Sequence, residues 1–126
     1  DNTASGVSGG KWFGYDVFES ADCLRWLEFL ESEFGSDVSV VMHGFSLGGA
    51  TVMKMSDRVP DIVKFTVVHG EDDPTVPFEN APRAYELCPN DKDHLFTSGT
   101  RHIETMFTHP NEYAEKLDAF IGKYIQ

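Results

Sequence analysis

The stretch Gly-Phe-Ser-Leu-Gly at residues 44–48 has the residue types and the spacing that could hold a nucleophilic serine. A G-x-S-x-G motif indicates a nucleophile only where a strand runs into it and a helix runs out of it, because that sharp turn exposes the hydroxyl. Side chains at positions 44 and 48 are expected to collide with the neighbouring backbone, which accounts for both glycines. Ser46 is therefore predicted to be a nucleophile, with an ordinary Gly/Ser turn as the alternative.

A serine hydroxyl is a poor nucleophile at neutral pH, so it needs a base and a carboxylate that orients that base. Three adjacent acids, Glu71, Asp72 and Asp73, lie in the loop that follows the second predicted strand. Asp73 is the favoured partner because Pro74 holds the backbone extended at that point. Asp72 is the second candidate, and a merely solvated acidic turn is the alternative.

Five histidines compete for the role of base. His102 is favoured because it lies alone in a loop past the third predicted strand, and His109, which is expected to cap the last helix, is the second candidate. His43 and His69 end strands, where they are expected to pack or hydrogen-bond locally, and His94 begins one. The histidines lack the paired spacing of metal ligands, so neither a metal nor another cofactor is expected.

Hydrophobic periodicity predicts strands and helices that alternate along the chain. The strands are predicted at Val38–Met42, Ile62–His69 and His94–Ser98, and the helices at Asp16–Phe34 (with a capping box of Asp16 and Glu19), Leu47–Met55, Asn80–Leu87 and from Pro110 onwards. This alternation indicates an α/β fold, a three-layer sandwich whose short, mainly parallel sheet is flanked by helices. Because function sits at the carboxyl ends of parallel strands, the serine, acid and histidine are expected to meet at one edge.

The length of 126 residues predicts one domain that spans residues 1–126. The net charge of −11 argues against nucleic acid and anionic membranes as partners, because both are bound through clustered Lys and Arg. No apolar run reaches the length of a membrane span and no signal peptide is evident, so we expect a cytoplasmic protein without membrane association. Cys23 and Cys88 are expected to be buried or half-buried thiols.

Several of these segments resemble the α/β-hydrolase superfamily, nearest its bacterial serine esterase and serine-aminopeptidase-like branch. Residues 43–51 match the H-G-x-S-x-G-[GA]-A-T elbow of that branch, residues 69–77 match H-G-x-x-D-x-x-V-P, and residues 99–102 match G-x-x-H. The opening residues 1–10 are similar to a D-x-R-x-x-G-x-S-x-G loop with Thr3 in place of arginine, and residues 22–26 resemble the helix before the elbow. The resemblance implies Ser46, Asp73 and His102 as nucleophile, acid and base.

The resemblance also implies a truncated core. The opening strands of the family have no counterpart here. Residues 62–65 look like the start of one family strand, fused to the end of the next at residues 66–69, which removes a crossover and the cap over the substrate. The backbone N–H of Leu47 is the expected oxyanion donor, whereas the second donor has no obvious source.

Together these features predict a serine hydrolase that acts on small carboxylic esters through a Ser-Asp-His triad and an acyl-enzyme. The alternative is a catalytically silent α/β-hydrolase remnant that serves as a binding or assembly module. Without the opening strands, Val38–Met42 becomes an edge with apolar residues on both faces, and such an edge invites pairing with another chain. We therefore expect a small-molecule ester as substrate and a homodimer or larger homo-oligomer.

Overall fold

The protein is described by a computed structural model of residues 1–60 and 62–125. Within these residues, one parallel sheet has the strand order β1-β2-β3. The strands are β1 (Val40–Val41), β2 (Val63–Gly70) and β3 (Lys92–Thr97), and the helices are α1 (Val17–Phe34), α2 (Leu47–Met55), α3 (Asn80–Leu87), α4 (Thr105–Thr108) and α5 (Pro110–Tyr124). The alternation of strands and helices agrees with the predicted α/β fold.

The register of the sheet brings the ends of β2 and β3 together. Their pairing runs from Phe65 opposite Lys92 to Gly70 opposite Thr97, so the two strands finish side by side. β1 pairs with β2 over two residues only, where the sequence predicted a strand at Val38–Met42. β1 is short because the chain leaves β2 after Val41 and turns into the elbow.

The two faces of β2 contact different helices, so the sheet lies between two helical layers. Val63 and Phe65 are buried in a core with Leu27 of α1 and Met55 of α2. Side chains alternate between the two faces of a strand, so Lys64 points the other way, where its ammonium lies 5.7 Å from the ring of Tyr124 in α5. The predicted three-layer arrangement is confirmed.

The predicted capping box at the start of α1 is wrong. Asp16 has φ = 76° and makes no side-chain capping bond. Its Oδ1 instead accepts a hydrogen bond of 3.1 Å from the hydroxyl of Thr51 in α2, while Glu19 Oε1 accepts one of 2.9 Å from the Gly14 N–H. The two acids are used to join α1 to α2 and to hold the preceding loop.

Smaller differences concern element ends. The structure begins β3 at Lys92 and ends β2 at Gly70, and it contains the short helix α4 in the stretch 99–108, where neither a helix nor a strand was predicted.

Both cysteines are free thiols, and burial raises the pKa of each. None of the helices in the described ranges is both long enough and apolar enough to cross a membrane.

Candidate active site

Ser46 occupies a strained turn between β1 and α2. Its backbone has φ = 49° and ψ = −115°, a region that a residue with a Cβ atom rarely adopts. Such strain persists only where surrounding structure imposes it, and it is common at functional sites. The exposed hydroxyl therefore stands at the sheet edge where β2 and β3 also end.

Only one of the two motif glycines is needed for steric reasons. A Cβ atom at Gly44 would overlap the carbonyl group of Gly48 and lie 2.6 Å from the nitrogen of Gly49. A Cβ atom at Gly48 would meet nothing within 4 Å, so the expected collision there is wrong. A side chain at position 48 would point away from the turn, and the backbone that Gly44 must accommodate belongs to Gly48 and Gly49.

Gly70 lets the acid loop and the histidine loop approach each other. A Cβ atom at this position would overlap the Thr100 carbonyl oxygen and lie 2.8 Å from the Arg101 carbonyl oxygen. Backbone bonds join the same loops: the Asp72 N–H donates to Thr100 O at 3.1 Å, and the Glu71 N–H donates to Thr97 O at 2.9 Å. The loops after β2 and β3 are thus held as one unit.

Asp73 is a buried carboxylate whose oxygens are all engaged. Oδ1 accepts hydrogen bonds from the N–H groups of Thr75 (2.7 Å) and Val76 (2.9 Å), and Oδ2 lies 2.7 Å from His102 Nδ1. Burial opposes ionisation, but the bonds from Val76, His102 and Thr75 outweigh it and lower the pKa of Asp73. Asp73 is therefore a carboxylate at neutral pH, and His102 Nδ1 carries the proton that it accepts.

His102 joins this carboxylate to the serine. Its Nε2 lies 2.9 Å from Ser46 Oγ, across 56 residues of sequence. Because Nδ1 holds a proton, a neutral His102 ring can accept the Ser46 hydroxyl proton at Nε2. The structure thus brings Ser46, His102 and Asp73 into one line of hydrogen bonds, and this geometry can transfer a proton from the serine to the imidazole.

The competing acid and base have other partners. Asp72 Oδ2 accepts a hydrogen bond of 2.9 Å from the Gly99 N–H, which ties the two loops together. His109 stands at the N-cap position of α5 without a side-chain capping bond, and its Nδ1 lies 2.9 Å from Thr108 Oγ1 and 3.2 Å from Thr100 Oγ1. His109 is thus the N-cap residue of α5, as expected, but its side chain makes no capping hydrogen bond.

The remaining histidines differ in their surroundings. His69 Nδ1 donates to Gly70 O at 2.7 Å, a local bond as expected. His94 lies within β3 rather than at its start, with its ring centroid 4.9 Å from that of Tyr85 and 4.6 Å from that of Phe96. His94 is therefore separate from the line of Ser46 and His102, whereas His69 Nε2 lies 3.9 Å from Asp73 Oδ2, the oxygen that His102 Nδ1 contacts.

Tyr113 is a site residue that the sequence interpretation missed. It lies in the helix predicted from Pro110 onwards, and its hydroxyl lies 3.1 Å from His43 Nε2, 70 residues earlier in the chain. Burial raises the pKa of the Tyr113 phenol. His43 therefore has a distant partner in addition to the expected local packing, in which its ring centroid lies 4.5 Å from that of Phe45. The phenol of Tyr113 in the last helix was the available signal.

A cavity of about 450 Å³ opens at the serine. Ser46, Asp73 and His102 line one part of it. Side chains of α2, β2, α3 and α5 line much of the rest, including Met53, Phe65, Val67, Ala84, Leu87 and Leu117.

Leu47 is the first residue of α2, so its N–H has no partner within the helix. Among the described residues, no three His, Cys, Asp or Glu side chains form a group that could hold a metal.

The fold is similar to those of several solved structures. An esterase from Pyrococcus furiosus matches with a TM-score of 0.75 and 17% identity, over 100% of this chain and 70% of that one. An α/β serine hydrolase homologue from Coxiella burnetii matches with a TM-score of 0.64 and 20% identity, over 93% of this chain and 64% of the Coxiella chain. A Xanthomonas campestris protein described as an α/β serine hydrolase without lid matches with a TM-score of 0.68 and 16% identity, over 98% and 64%.

The sequence itself matches no protein-family model and no curated protein. The chain spans 64–70% of the length of the three similar structures. These likenesses show that the described residues have part of the α/β-hydrolase fold.

Proposed function

We propose that the chain is a single-domain serine hydrolase that cleaves small carboxylic esters. The observation that carries the proposal is the line of hydrogen bonds from Asp73 through His102 to Ser46, at 2.7 and 2.9 Å. A general base within hydrogen-bond reach of a nucleophile, itself oriented by a third group, is the arrangement that activates a serine. The similar structures include an esterase and an α/β serine hydrolase, which supports the same class.

In the proposed reaction, Ser46 Oγ forms a bond to the ester carbonyl carbon while its proton passes to His102 Nε2. The tetrahedral intermediate then expels the alcohol, which leaves with the proton from His102, and an acyl-enzyme remains. Water attacks this acyl-enzyme and gives a proton to His102; the carboxylic acid departs and Ser46 regains its hydroxyl proton. Asp73 keeps the ring in the required tautomer and stabilises the imidazolium.

The oxyanion of the intermediate needs donors that are already in position. The Leu47 N–H is the proposed donor because it begins α2, where backbone N–H groups lack helical partners and the helix dipole is positive. A site that lacks one of two such donors loses about 10²–10³ in rate. We therefore expect a slow enzyme if Leu47 acts alone.

A catalytically silent remnant is the second candidate function. The observation that favours it is that, in the described residues, β1 is only two residues long and has a strand on one side alone. The strand that leads into the elbow is therefore held by few hydrogen bonds. A chain without activity would act as a binding or assembly module.

Hydrolysis of 4-nitrophenyl acetate, butyrate and longer esters separates the two candidates. An active site predicts turnover that favours the short esters and that falls by roughly 10⁴- to 10⁶-fold in Ser46→Ala. Ser98→Ala is the matched control, because it removes a hydroxyl from an exposed serine outside the cavity. Equal rates for the wild type and Ser46→Ala would contradict the hydrolase proposal.

A further inference from the structure

The cavity at Ser46 continues as a groove between two helices. Ala50 and Met53 follow Ser46 by four and seven residues, so they line α2 on the side of the serine. On α3, Asn80, Arg83, Ala84 and Leu87 line the opposite wall, with the spacing of a single helix face. A substrate that reacts at Ser46 can therefore extend along both helices.

The charge of this groove is opposite to that of the whole protein. The chain has 10 Lys and Arg against 21 Asp and Glu, yet Lys54 and Arg83 both line the cavity. Among the described lining residues the only carboxylate is that of Asp73, which is already bonded to His102. The groove is thus a cationic region on an acidic molecule.

Neither cation is paired with a carboxylate among the described residues. In residues 1–60 and 62–125, no carboxylate lies within ion-pair distance of Lys54 or of Arg83. Arg83 is exposed on α3, where a guanidinium can bind a planar carboxylate through two parallel hydrogen bonds. It is therefore free to contact an anionic group of a bound ligand.

We propose that the groove selects esters that carry a carboxylate, and that Arg83 is the residue that recognises it, with Lys54 adding to the local positive potential. This inference rests on the proposed function, because it names the substrate class of the same site. A local cation matters here because the net charge of −11 repels anions in general. The apolar side chains of Met53 and Leu87 would contact the carbon chain between the two polar ends.

Two pairs of matched esters test the proposal and locate the carboxylate. Ethyl pentanoate and monoethyl glutarate differ by a carboxylate on the acyl side, and phenyl butyrate and 4-(butyryloxy)benzoate differ by one on the alcohol side. Acid release in a pH-stat gives kcat/KM for all four. The variants are Arg83→Gln and, as a control of equal charge, Arg25→Gln, which lies on the exposed face of α1 beside a different depression.

The wild type is expected to favour the charged member of one pair. Arg83→Gln should lower that preference about threefold to fivefold, through KM, because an exposed ion pair contributes little more than this. Arg25→Gln should leave the preference unchanged, and added salt should reduce it in the wild type. The pair that responds identifies the side of the ester on which the carboxylate lies.

The negative outcomes are distinguishable. If neutral esters are hydrolysed but Arg83→Gln and Arg25→Gln alter the charged-to-neutral ratio equally, or not at all, the carboxylate proposal is overturned while the hydrolase proposal stands. If none of the four esters is hydrolysed, the proposed function itself fails, and the substrate inference fails with it.

Discussion

The α-carbon of Gly70 lies directly against the backbone carbonyl of Thr100, so close that a Cβ atom at position 70 would overlap its oxygen. This contact is the point at which the loop after β2 meets the loop after β3. Asp73 lies three residues after Gly70, and His102 lies two residues after Thr100. The distance of 2.7 Å between the acid and the imidazole therefore depends on the absence of a side chain at position 70.

We expect Gly70→Ala to push these loops apart. The added methyl group meets backbone rather than a flexible side chain, so the free energy of unfolding should fall by about 1–3 kcal/mol, and ester hydrolysis should fall with it. Gly122→Ala is the control, because a Cβ atom there meets nothing within 4 Å and the residue lies within α5. Thermal unfolding of both variants checks this, and an unchanged Gly70→Ala protein would contradict it.

The two glycines of the elbow motif should respond in opposite directions. Gly44→Ala must displace the backbone of Gly48 and Gly49, so we expect a loss of about 1–3 kcal/mol in the free energy of unfolding. Gly48→Ala adds a methyl group in open space inside α2 and should gain roughly 0.5–1 kcal/mol. Chemical denaturation measures both values, and similar losses in the two variants would refute the steric account.

Asp73 and Asp72 are adjacent acids with different expected effects on hydrolysis. Asp73→Asn removes the acceptor that fixes the His102 tautomer, so kcat should fall by about 10⁴-fold. Asp72→Asn keeps an oxygen for the Gly99 N–H and leaves the line to Ser46 intact, so kcat should stay within a few fold. Steady-state kinetics of both variants test this assignment, and a larger effect of Asp72→Asn would reverse it.

The stability that Asp73 contributes should depend on pH in one direction. Its pKa in the folded protein is lowered below the ordinary value of 3.8, so the carboxylate stabilises the fold at higher pH. That contribution is lost as the pH falls through the folded pKa. The difference in free energy of unfolding between the wild type and Asp73→Asn should thus shrink as the pH falls below the ordinary value of 3.8. A difference that grows on acidification would contradict this sign.

The outer edge of β1 should pair with a second chain. The Val40 N–H donates to Ile62 O at 2.8 Å, so the backbone groups of Ser39 and Val41 point the other way. We expect a mass by light scattering of at least twice the 14.1 kDa of one chain. Ser39→Pro removes an outward N–H without touching the bond to Ile62, and it should shift the protein toward the monomer. A wild-type monomer would contradict this prediction.

Local signals in the sequence predicted the parts of the fold that are built locally. The bounds of α2 (Leu47–Met55) and α3 (Asn80–Leu87) agree with the prediction. The elbow glycines and Pro82, in the first turn of α3, define those helices without distant partners. The order of Ser46, Asp73 and His102 in successive loops was also sufficient to bring them together, because parallel strands end at one edge.

Features that depend on distant partners were not predictable in this way. The length of β1 depends on how long its chain stays beside β2. Asp16 binds the hydroxyl of Thr51, 35 residues away, instead of capping α1. Tyr113 reaches His43 only because α5 lies across the sheet edge. Each of these contacts is set by packing between elements, and single-residue preferences carry no information about it.

Intact mass after treatment with a fluorophosphonate probe tests the central claim most directly, because the probe forms a covalent bond only with an activated serine. We predict one adduct on the wild type, none on Ser46→Ala, and slow labelling of Asp73→Asn. A folded wild-type protein that gains no adduct, or an adduct that persists in Ser46→Ala, would contradict the claim that His102 and Asp73 activate Ser46.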